Sequence, residues 1–115
     1  KKAIAANAGT YSFMDEMVAY PYGLGDVNYN LQGSFAKHLV VLLGELDNNA
    51  QQGRLDQTEM AMEQGSNRLE RGSNFFAASK TVAEDNGFNF NWQIQVVPDV
   101  GHEYKRMSEA AAKLL

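Results

Sequence analysis

Apolar positions gather in three short runs along the chain, and each run predicts a β-strand. The run from Lys2 to Ala8 is short and is followed by Gly9, as expected for a strand that enters a loop. The run from His38 to Gly44 is apolar on both faces, which is typical of a strand covered from both sides. The third run, from Trp92 to Val97, alternates and stops at Pro98, which lacks the N–H that a strand ladder requires.

Helical spacing fills most of the chain between and after these strands. Thr58 is a candidate N-cap for a short helix that stops at Gly65, and Ser66 is a candidate cap for a longer helix that ends near Asn86. Spacings of three and four from Tyr104 onward predict a final amphipathic helix. The apolar face of the longer helix comprises Phe75, Phe76, Ser79, Val82 and Ala83.

The segment from Gly9 to about Gly33 is rich in glycine, asparagine and aromatic residues, which favours turns over periodic structure. Loops of that length are uncommon in a compact domain unless they line a site. We therefore expect this segment to be functional or to be partly helical near residues 13–18. Its aromatic side chains could line a substrate pocket or pack against the sheet, and they are Tyr11, Phe13, Tyr20 and Tyr22.

The order of the elements predicts an α/β fold with a three-stranded parallel sheet and crossover helices. Sites in such sheets lie at the carboxyl ends of the strands. Asp47 follows the second strand and His102 follows the third, so we expect both at the same rim. A carboxylate that accepts the Nδ1–H of an imidazole leaves Nε2 free to act as a base, which is two thirds of a hydrolytic triad. The simpler alternatives are a turn-forming Asp47 and a His102 that merely starts a helix.

Composition narrows the possible functions. The 115 residues suit one domain, and 44% hydrophobic content is sufficient for a packed core. A net charge of -4, without a run of lysine or arginine, argues against a nucleic acid partner. We expect no membrane span, since no apolar stretch approaches about 20 residues. The absence of cysteine fits a reducing compartment without fixing the localisation.

Metal and cofactor chemistry finds little support in the sequence. His38 and His102 are 102 − 38 = 64 positions apart, and no His-x-x-x-His pair is present, so we expect no metal site and no cofactor. His38 is expected to be structural. Arg68 and Arg71 share a helix face and could clamp a carboxylate, although structural ion pairs are the more common use of such arginines. Glu45 has the weakest claim to a functional role.

Several segments together resemble the C-terminal part of bacterial α/β-hydrolase-fold esterases of the polyester depolymerase and carboxylesterase group. These segments are "AANAGTYSF", "YPYGLGD", "VVLLGELD", "EQGSNRLERGSNFF" and "FNWQIQVVPDVGHEYKRM". The resemblance implies that Asp47 is the triad acid, that His102 is the triad base, and that the substrate of the intact enzyme is a small-molecule ester. Asp99 stands where the resemblance leads us to expect glycine, so Asp99 is a second candidate partner for His102. Thr10 stands where we expect an aromatic residue.

No Gly-x-Ser-x-Gly sequence occurs in the chain, although the resemblance places that nucleophile elbow on the preceding strand. We therefore expect residues 1–115 to be a partial domain, inactive alone, whose first strand exposes an edge to the missing half or to another copy. The alternative is a complete, non-catalytic α/β interaction module that binds a partner through the same edge.

Overall fold

The computed structural model describes residues 2–115, which form one three-stranded sheet with helices on both faces. The elements in chain order are β1 (Lys2–Ala6), α1 (Leu31–Ala36), β2 (His38–Gly44), α2 (Glu59–Glu63), α3 (Arg68–Asp85), β3 (Gln93–Val97) and α4 (Tyr104–Ala112). All pairing is parallel, and β2 lies between β1 and β3. The predicted α/β class and the three predicted strands are confirmed.

The two faces of the sheet bury separate apolar clusters because successive side chains of a strand point to opposite faces. Val41 and Leu43 of β2 face the cluster under α3, whereas Leu42 faces the cluster under α4. The first cluster contains the buried residues Tyr11, Phe35, Val41, Leu43, Phe75, Ala83 and Trp92. The second contains Leu42, Val100 and Met107. Because it is covered on both faces, β2 is the most deeply buried strand, as its continuous apolar sequence predicted.

The N-cap of the long helix α3 lies one residue later than the sequence predicted. Asn67, rather than Ser66, is the N-cap, and its side chain accepts the backbone N–H of Glu70 at 2.9 Å. The Glu70 carboxylate in turn accepts the backbone N–H of Ser66 at 3.0 Å. Both side chains therefore satisfy backbone donors at the start of the helix. The helix ends at Asp85 with Asn86 as C-cap, close to the predicted stop.

The region between β1 and β2 differs from the sequence prediction in two respects. Residues 13–18 form turns rather than a helix, and the short helix α1 was not predicted. The Asn30 side chain caps α1 by accepting the Gly33 N–H at 3.0 Å, and Phe35 anchors the helix because it is fully buried against Phe90 and Trp92. Tertiary packing therefore stabilises α1. The helix was missed because its six residues include a glycine and are too few to show helical periodicity.

The apolar residues that alternate along the third strand are less buried than the sequence predicted. Trp92 is buried just before β3, but Ile94 and Val96 are 38% and 43% exposed. They lie in register with Val41 and Leu43, which fixes their face of the sheet. Helix α3 packs mainly over β2, so the edge strand β3 is incompletely covered.

Gly44→Ala is expected to destabilise the fold. An added Cβ would collide with the carbonyl oxygen of Val100 and lie 2.9 Å from that of Gly101. We expect a loss of about 1–3 kcal/mol in the free energy of unfolding, measured by urea titration. Gly9→Ala is the matched control, because no atom lies within 4 Å of its added Cβ, and its change should stay within about 0.5 kcal/mol. Equal effects of the two substitutions would contradict the close approach at Gly44.

Candidate functional site

The loops that follow β2 and β3 meet at the carboxyl rim of the sheet. The backbone N–H of Glu45 donates to Val97 O at 2.9 Å, and that of Leu46 donates to Val100 O at 2.8 Å. The loop after β3 therefore crosses the end of β2, next to Gly44, where a side chain would obstruct it. This crossing carries His102 toward the turn that holds Asp47.

Asp47 and His102 are in hydrogen-bond contact across this crossing. The distance from His102 Nδ1 to Asp47 Oδ2 is 2.9 Å. The Asp47 side chain has no exposed surface, whereas that of His102 is 36% exposed. The buried anion is thus on the protein side of the imidazole, and the imidazole retains a surface to solvent. This arrangement can orient the ring and fix its tautomer.

Arg68 lies on the other side of the Asp47 carboxylate, in the first turn of α3. Its Nη1 atom is 3.8 Å from Asp47 Oδ1 and 2.5 Å from the backbone oxygen of Gln52, to which it donates. Asp47 Oδ1 has no hydrogen-bond partner within residues 2–115. The buried guanidinium therefore supplies positive charge to an oxygen that lacks a direct donor. Arg68 thus makes an ion pair within the chain, which is the more common of the two uses considered for it.

Two amide side chains, which the sequence did not identify, hold the loop that carries His102. Gln52 Oε1 accepts the backbone N–H of His102 at 3.0 Å. Asn7, at the end of β1, accepts the Gly44 N–H at 2.8 Å through Oδ1, and its Nδ2 donates to Gly101 O over 3.4 Å. Asn7 has a positive φ of 46°, which asparagine tolerates better than most residues. A short Asn-Ala-Gly segment after an apolar run was the available signal, but it does not specify a contact.

Asp99, the second candidate partner of His102, has a different position. Its backbone N–H donates to the Glu45 carboxylate at 3.0 Å, and its backbone oxygen accepts from Arg106 at 3.1 Å. The hydrogen bond of the imidazole is made to Asp47. The structure thus brings together the pair that the sequence favoured, and Glu45 holds the adjoining loop.

A cavity of about 180 Å³ opens beside His102. Its lining combines the end of β1 with the start of α4 and comprises Ala6, Asn7, His102, Glu103, Tyr104 and Met107. A larger cleft of about 470 Å³ lies between the loop at residues 13–17 and helices α1 and α3, but neither Asp47 nor His102 lines it. Of these two cavities, the smaller is the one in which the His102 side chain could contact a bound molecule.

Arg71 and His38 occupy structural positions. Arg71 is fully buried and donates to Gly65 O and Gly9 O, both at 2.8 Å, so it ties the loop after β1 to the start of α3. Burial lowers the pKa of Arg71. His38 is exposed and begins β2, at the rim opposite Asp47.

The aromatic loop residues divide between packing and surface positions. Tyr11 stacks on Phe75 at a centroid distance of 4.5 Å, and Phe13 meets the same ring edge-on at 5.6 Å. Tyr22 donates its hydroxyl to Asp56 at 2.9 Å, whereas Tyr20 is largely exposed. A backbone hydrogen bond from Thr58, followed by the hydroxyl groups of Thr58 and Tyr22, lowers the pKa of Asp56. For Tyr11 and Phe13, packing is the alternative that the structure supports.

The Tyr11 hydroxyl is buried and has no hydrogen-bond partner in the part of the chain that the structure describes. Burial raises the pKa of Tyr11 to about 12, and the negative charge of Asp47 adds a smaller effect in the same direction. The nearby backbone of Ala8 lowers the pKa of Tyr11, but by less than burial raises it. Tyr11 therefore remains neutral beneath the site at ordinary pH.

Residues 2–115 contain neither a metal-binding cluster nor a membrane-spanning helix. No group of three or more His, Cys, Asp or Glu side chains in this range could hold a metal ion. No helix among the described residues is both long and apolar enough to cross a membrane.

Two solved hydrolase structures are similar to this chain over nearly its whole length. Poly(aspartic acid) hydrolase-1 from Sphingomonas sp. KT-1 matches with a TM-score of 0.93 and 38% identity, covering 98% of this chain and 44% of that one. LpqC, a poly(3-hydroxybutyrate) depolymerase from Bordetella parapertussis, matches with a TM-score of 0.90 and 32% identity, covering 96% and 38%. No family model and no curated protein matches the chain.

The chain therefore spans less than half the length of either hydrolase. The resemblance to esterase-like hydrolases that the sequence indicated is confirmed, and the α/β architecture agrees with that of both neighbours.

Tyr11→Phe should remove one source of alkaline destabilisation. Because folding raises the pKa of Tyr11 from 10.0 to about 12, the wild-type fold loses stability as the pH rises from about 10 to 12. We expect Tyr11 to account for up to about 2–3 kcal/mol of that loss. Urea unfolding at pH 8 and at pH 11–12 should show a smaller alkaline loss for Tyr11→Phe than for the wild type.

The control for this measurement is Tyr104→Phe, since Tyr104 is 88% exposed and its substitution should leave the alkaline loss unchanged. At neutral pH we expect Tyr11→Phe to be within about 1 kcal/mol of the wild type, because the deleted hydroxyl makes no hydrogen bond to any described residue. An alkaline loss of the same size in Tyr11→Phe and the wild type would contradict the role assigned to Tyr11.

Proposed function

We propose that this chain supplies the general base and its orienting acid to a hydrolase that cleaves carboxylic esters. The observation that carries the proposal is the 2.9 Å contact between His102 Nδ1 and the buried Asp47 carboxylate, with the cavity at residues 6–7 and 102–107 beside the imidazole. The similarity to two hydrolases gives independent support at the level of reaction class.

In the proposed reaction, His102 Nε2 accepts the proton of a hydroxyl nucleophile as the nucleophile attacks the ester carbonyl carbon. Asp47 accepts the Nδ1–H throughout and stabilises the imidazolium that forms. When the tetrahedral intermediate collapses, His102 returns the proton to the departing alcohol oxygen. Water then hydrolyses the acyl intermediate by the same sequence of proton transfers. Arg68 stabilises the charge of Asp47 but does not contact the reacting atoms.

The nucleophile in this proposal lies outside the 115 residues. None of the serines stands in a Gly-x-Ser-x-Gly setting, and they are Ser12, Ser34, Ser66, Ser73, Ser79 and Ser108. The two hydrogen bonds of His102 go to Gln52 and Asp47 in the described chain. The chain alone is accordingly proposed to be inactive, as a partial hydrolase domain.

The second candidate function is a non-catalytic interaction module, and the free edge of β1 favours it. Among residues 2–115, β1 pairs with β2 alone, and Lys2, Ala3 and Ala6 are exposed. Unpaired strand edges recruit other strands. The same edge also fits the first proposal, in which a strand from the remainder of the hydrolase, or from a second copy, pairs with β1.

Asp47 and His102 are the proposed dyad, and substitution of either residue should abolish ester hydrolysis by the product of the complete open reading frame. With a short-chain aryl ester, we expect kcat to fall by about 10⁴ for Asp47→Asn, the size of effect seen in a serine protease triad. His102→Ala should lower kcat by about 10⁶. Poly(3-hydroxybutyrate) and poly(aspartic acid) then test whether the bond cleaved is an ester or an amide.

Asp99→Asn and His38→Ala are the matched controls, because they remove the same functional groups away from the dyad. Both should retain kcat within about threefold of the wild type, on the order of the ±0.5 kcal/mol typical of surface substitutions. A large loss in Asp99→Asn with normal activity in Asp47→Asn would refute the assignment of Asp47. Turnover by the purified 115-residue chain would refute the proposal that the nucleophile lies outside it.

The free edge should make the 115-residue chain self-associate when no other strand is available. We expect light scattering at increasing concentration to show dimers or larger species. Ala3→Lys, which places a charge on the exposed edge strand, should shift the distribution toward monomer. Ala77→Lys makes the same substitution on the exposed surface of α3 and should leave the distribution unchanged. A wild-type monomer at all concentrations would argue against pairing at this edge.

A further inference from the structure

Gln52 connects the two loops that carry the dyad. Its Nε2 donates to the backbone oxygen of Leu46 at 2.7 Å, next to Asp47 in the chain. Its Oε1 accepts the backbone N–H of His102 at 3.0 Å. Both polar atoms of one half-buried amide are therefore used, one on the loop after β2 and the other on the loop after β3.

Arg68 fixes the main chain of Gln52 from the opposite side. Arg68 is 5% exposed, and its Nη1 atom donates to Gln52 O while lying 3.8 Å from Asp47 Oδ1. The contacts form a closed circuit that runs from Asp47 to His102, from His102 to Gln52, from Gln52 to Arg68 and back to Asp47. The position of each member thus depends on two others.

Two glycines show how closely the Gln52 segment approaches the histidine. A Cβ added at Gly53, which has φ +62°, would lie 3.0 Å from His102 Cδ2 and 3.0 Å from Arg68 Nη2. A Cβ added at Gly101 would lie 2.9 Å from Gln52 Oε1. Residues 52–53 therefore support the imidazole on the side of Cδ2, while Asp47 holds Nδ1.

From this circuit we propose that Gln52 is a positioning residue for His102, acting through the His102 main chain rather than on the substrate. The inference rests on the proposed function, because it explains what keeps His102 aligned with Asp47. The bonds to Val100 O and Gly101 O hold the loop just before His102, whereas Asp47 holds His102 itself only at Nδ1 of its ring. The Gln52 contact adds a second fixed point, and a displacement of about 1 Å at a catalytic group can cost on the order of 10² in rate.

The test uses nuclear magnetic resonance on the 115-residue chain with Gln52→Ala, Gln52→Glu and the control Gln51→Ala. Gln51 is the exposed neighbour of the same residue type. Three signals report on the site: hydrogen exchange at the His102 backbone amide, the downfield resonance of the His102 Nδ1 proton, and the nuclear Overhauser effect between Gly53 Hα and His102 Hδ2. Amide spectra of the rest of the chain verify that each variant is folded.

In Gln52→Ala we expect the His102 amide to exchange roughly fivefold to tenfold faster, the effect of losing a hydrogen bond. The Nδ1 proton signal should broaden or disappear, and the Gly53–His102 Overhauser effect should be lost. Gln52→Glu keeps the acceptor for the His102 N–H but loses the donor to Leu46, so its signals should be closer to those of the wild type. Gln51→Ala should match the wild type in all three.

Wild-type imidazole signals in a folded Gln52→Ala variant would overturn the positioning role. Failure of the proposed function has a different signature: normal ester turnover by Asp47→Asn and His102→Ala in the product of the complete open reading frame. In that case the Overhauser effect still decides whether Gln52 orients the ring. If Gln52→Ala does not fold, Gln52→Glu decides the question, because loss of the Overhauser effect with a protected His102 amide in that variant would equally overturn the proposal.

The complete open reading frame gives a second readout. We expect Gln52→Ala to lower kcat on an aryl ester by about 10- to 100-fold with KM changed little, since alignment of the base matters in the transition state. A change confined to KM would contradict positioning of the base, as would a loss that is equal in Gln51→Ala.

Discussion

The arrangement at the carboxyl rim depends on a carboxylate, that of Asp47, which has no contact with solvent. A buried charge is costly unless opposite charge and hydrogen bonds compensate for it. The compensation comes from His102 at 2.9 Å and from Arg68 at 3.8 Å, which belong to the loop before α4 and to the first turn of α3. The Leu69 N–H also donates to the backbone oxygen of Asp47 at 3.0 Å. Three segments that are distant in sequence must therefore assemble before Asp47 can be buried at low cost.

That assembly is possible because the parallel register brings the strand ends together and because small or permissive residues lie where the backbones cross. Gly44 leaves room for the carbonyl groups of Val100 and Gly101, and the left-handed backbone at Asn7 turns its amide toward both loops. A side chain at Gly44 would collide with the segment that carries His102. The position of the imidazole is thus a consequence of backbone packing as well as of its own hydrogen bond.

The sequence predicted the sheet and the proximity of Asp47 and His102 because both depend on strong local signals and one general rule. The continuous apolar run of β2 implied a covered central strand, and parallel topology placed the residues after β2 and β3 on one rim. The contacts of Gln52 and Asn7 could not be predicted, because an amide in a loop has no periodic signature and its partners are 50 and 94 positions away. Helix α1 was missed for a related reason: its stability comes from the burial of Phe35 rather than from its own six residues.

The free edge of β1 adjoins the cavity beside His102. Ala6 ends β1, and Ala6 and Asn7 line the same cavity as His102. A strand that paired with β1 in parallel would end at this rim, so the turn that followed it would reach the cavity. A nucleophile at the start of that turn would approach the imidazole from the side opposite the β2 loop, where Asp47 already occupies Nδ1. Under the proposed function, strand pairing at β1 and completion of the active site would be the same event, so that association at this edge and catalysis would not be competing functions.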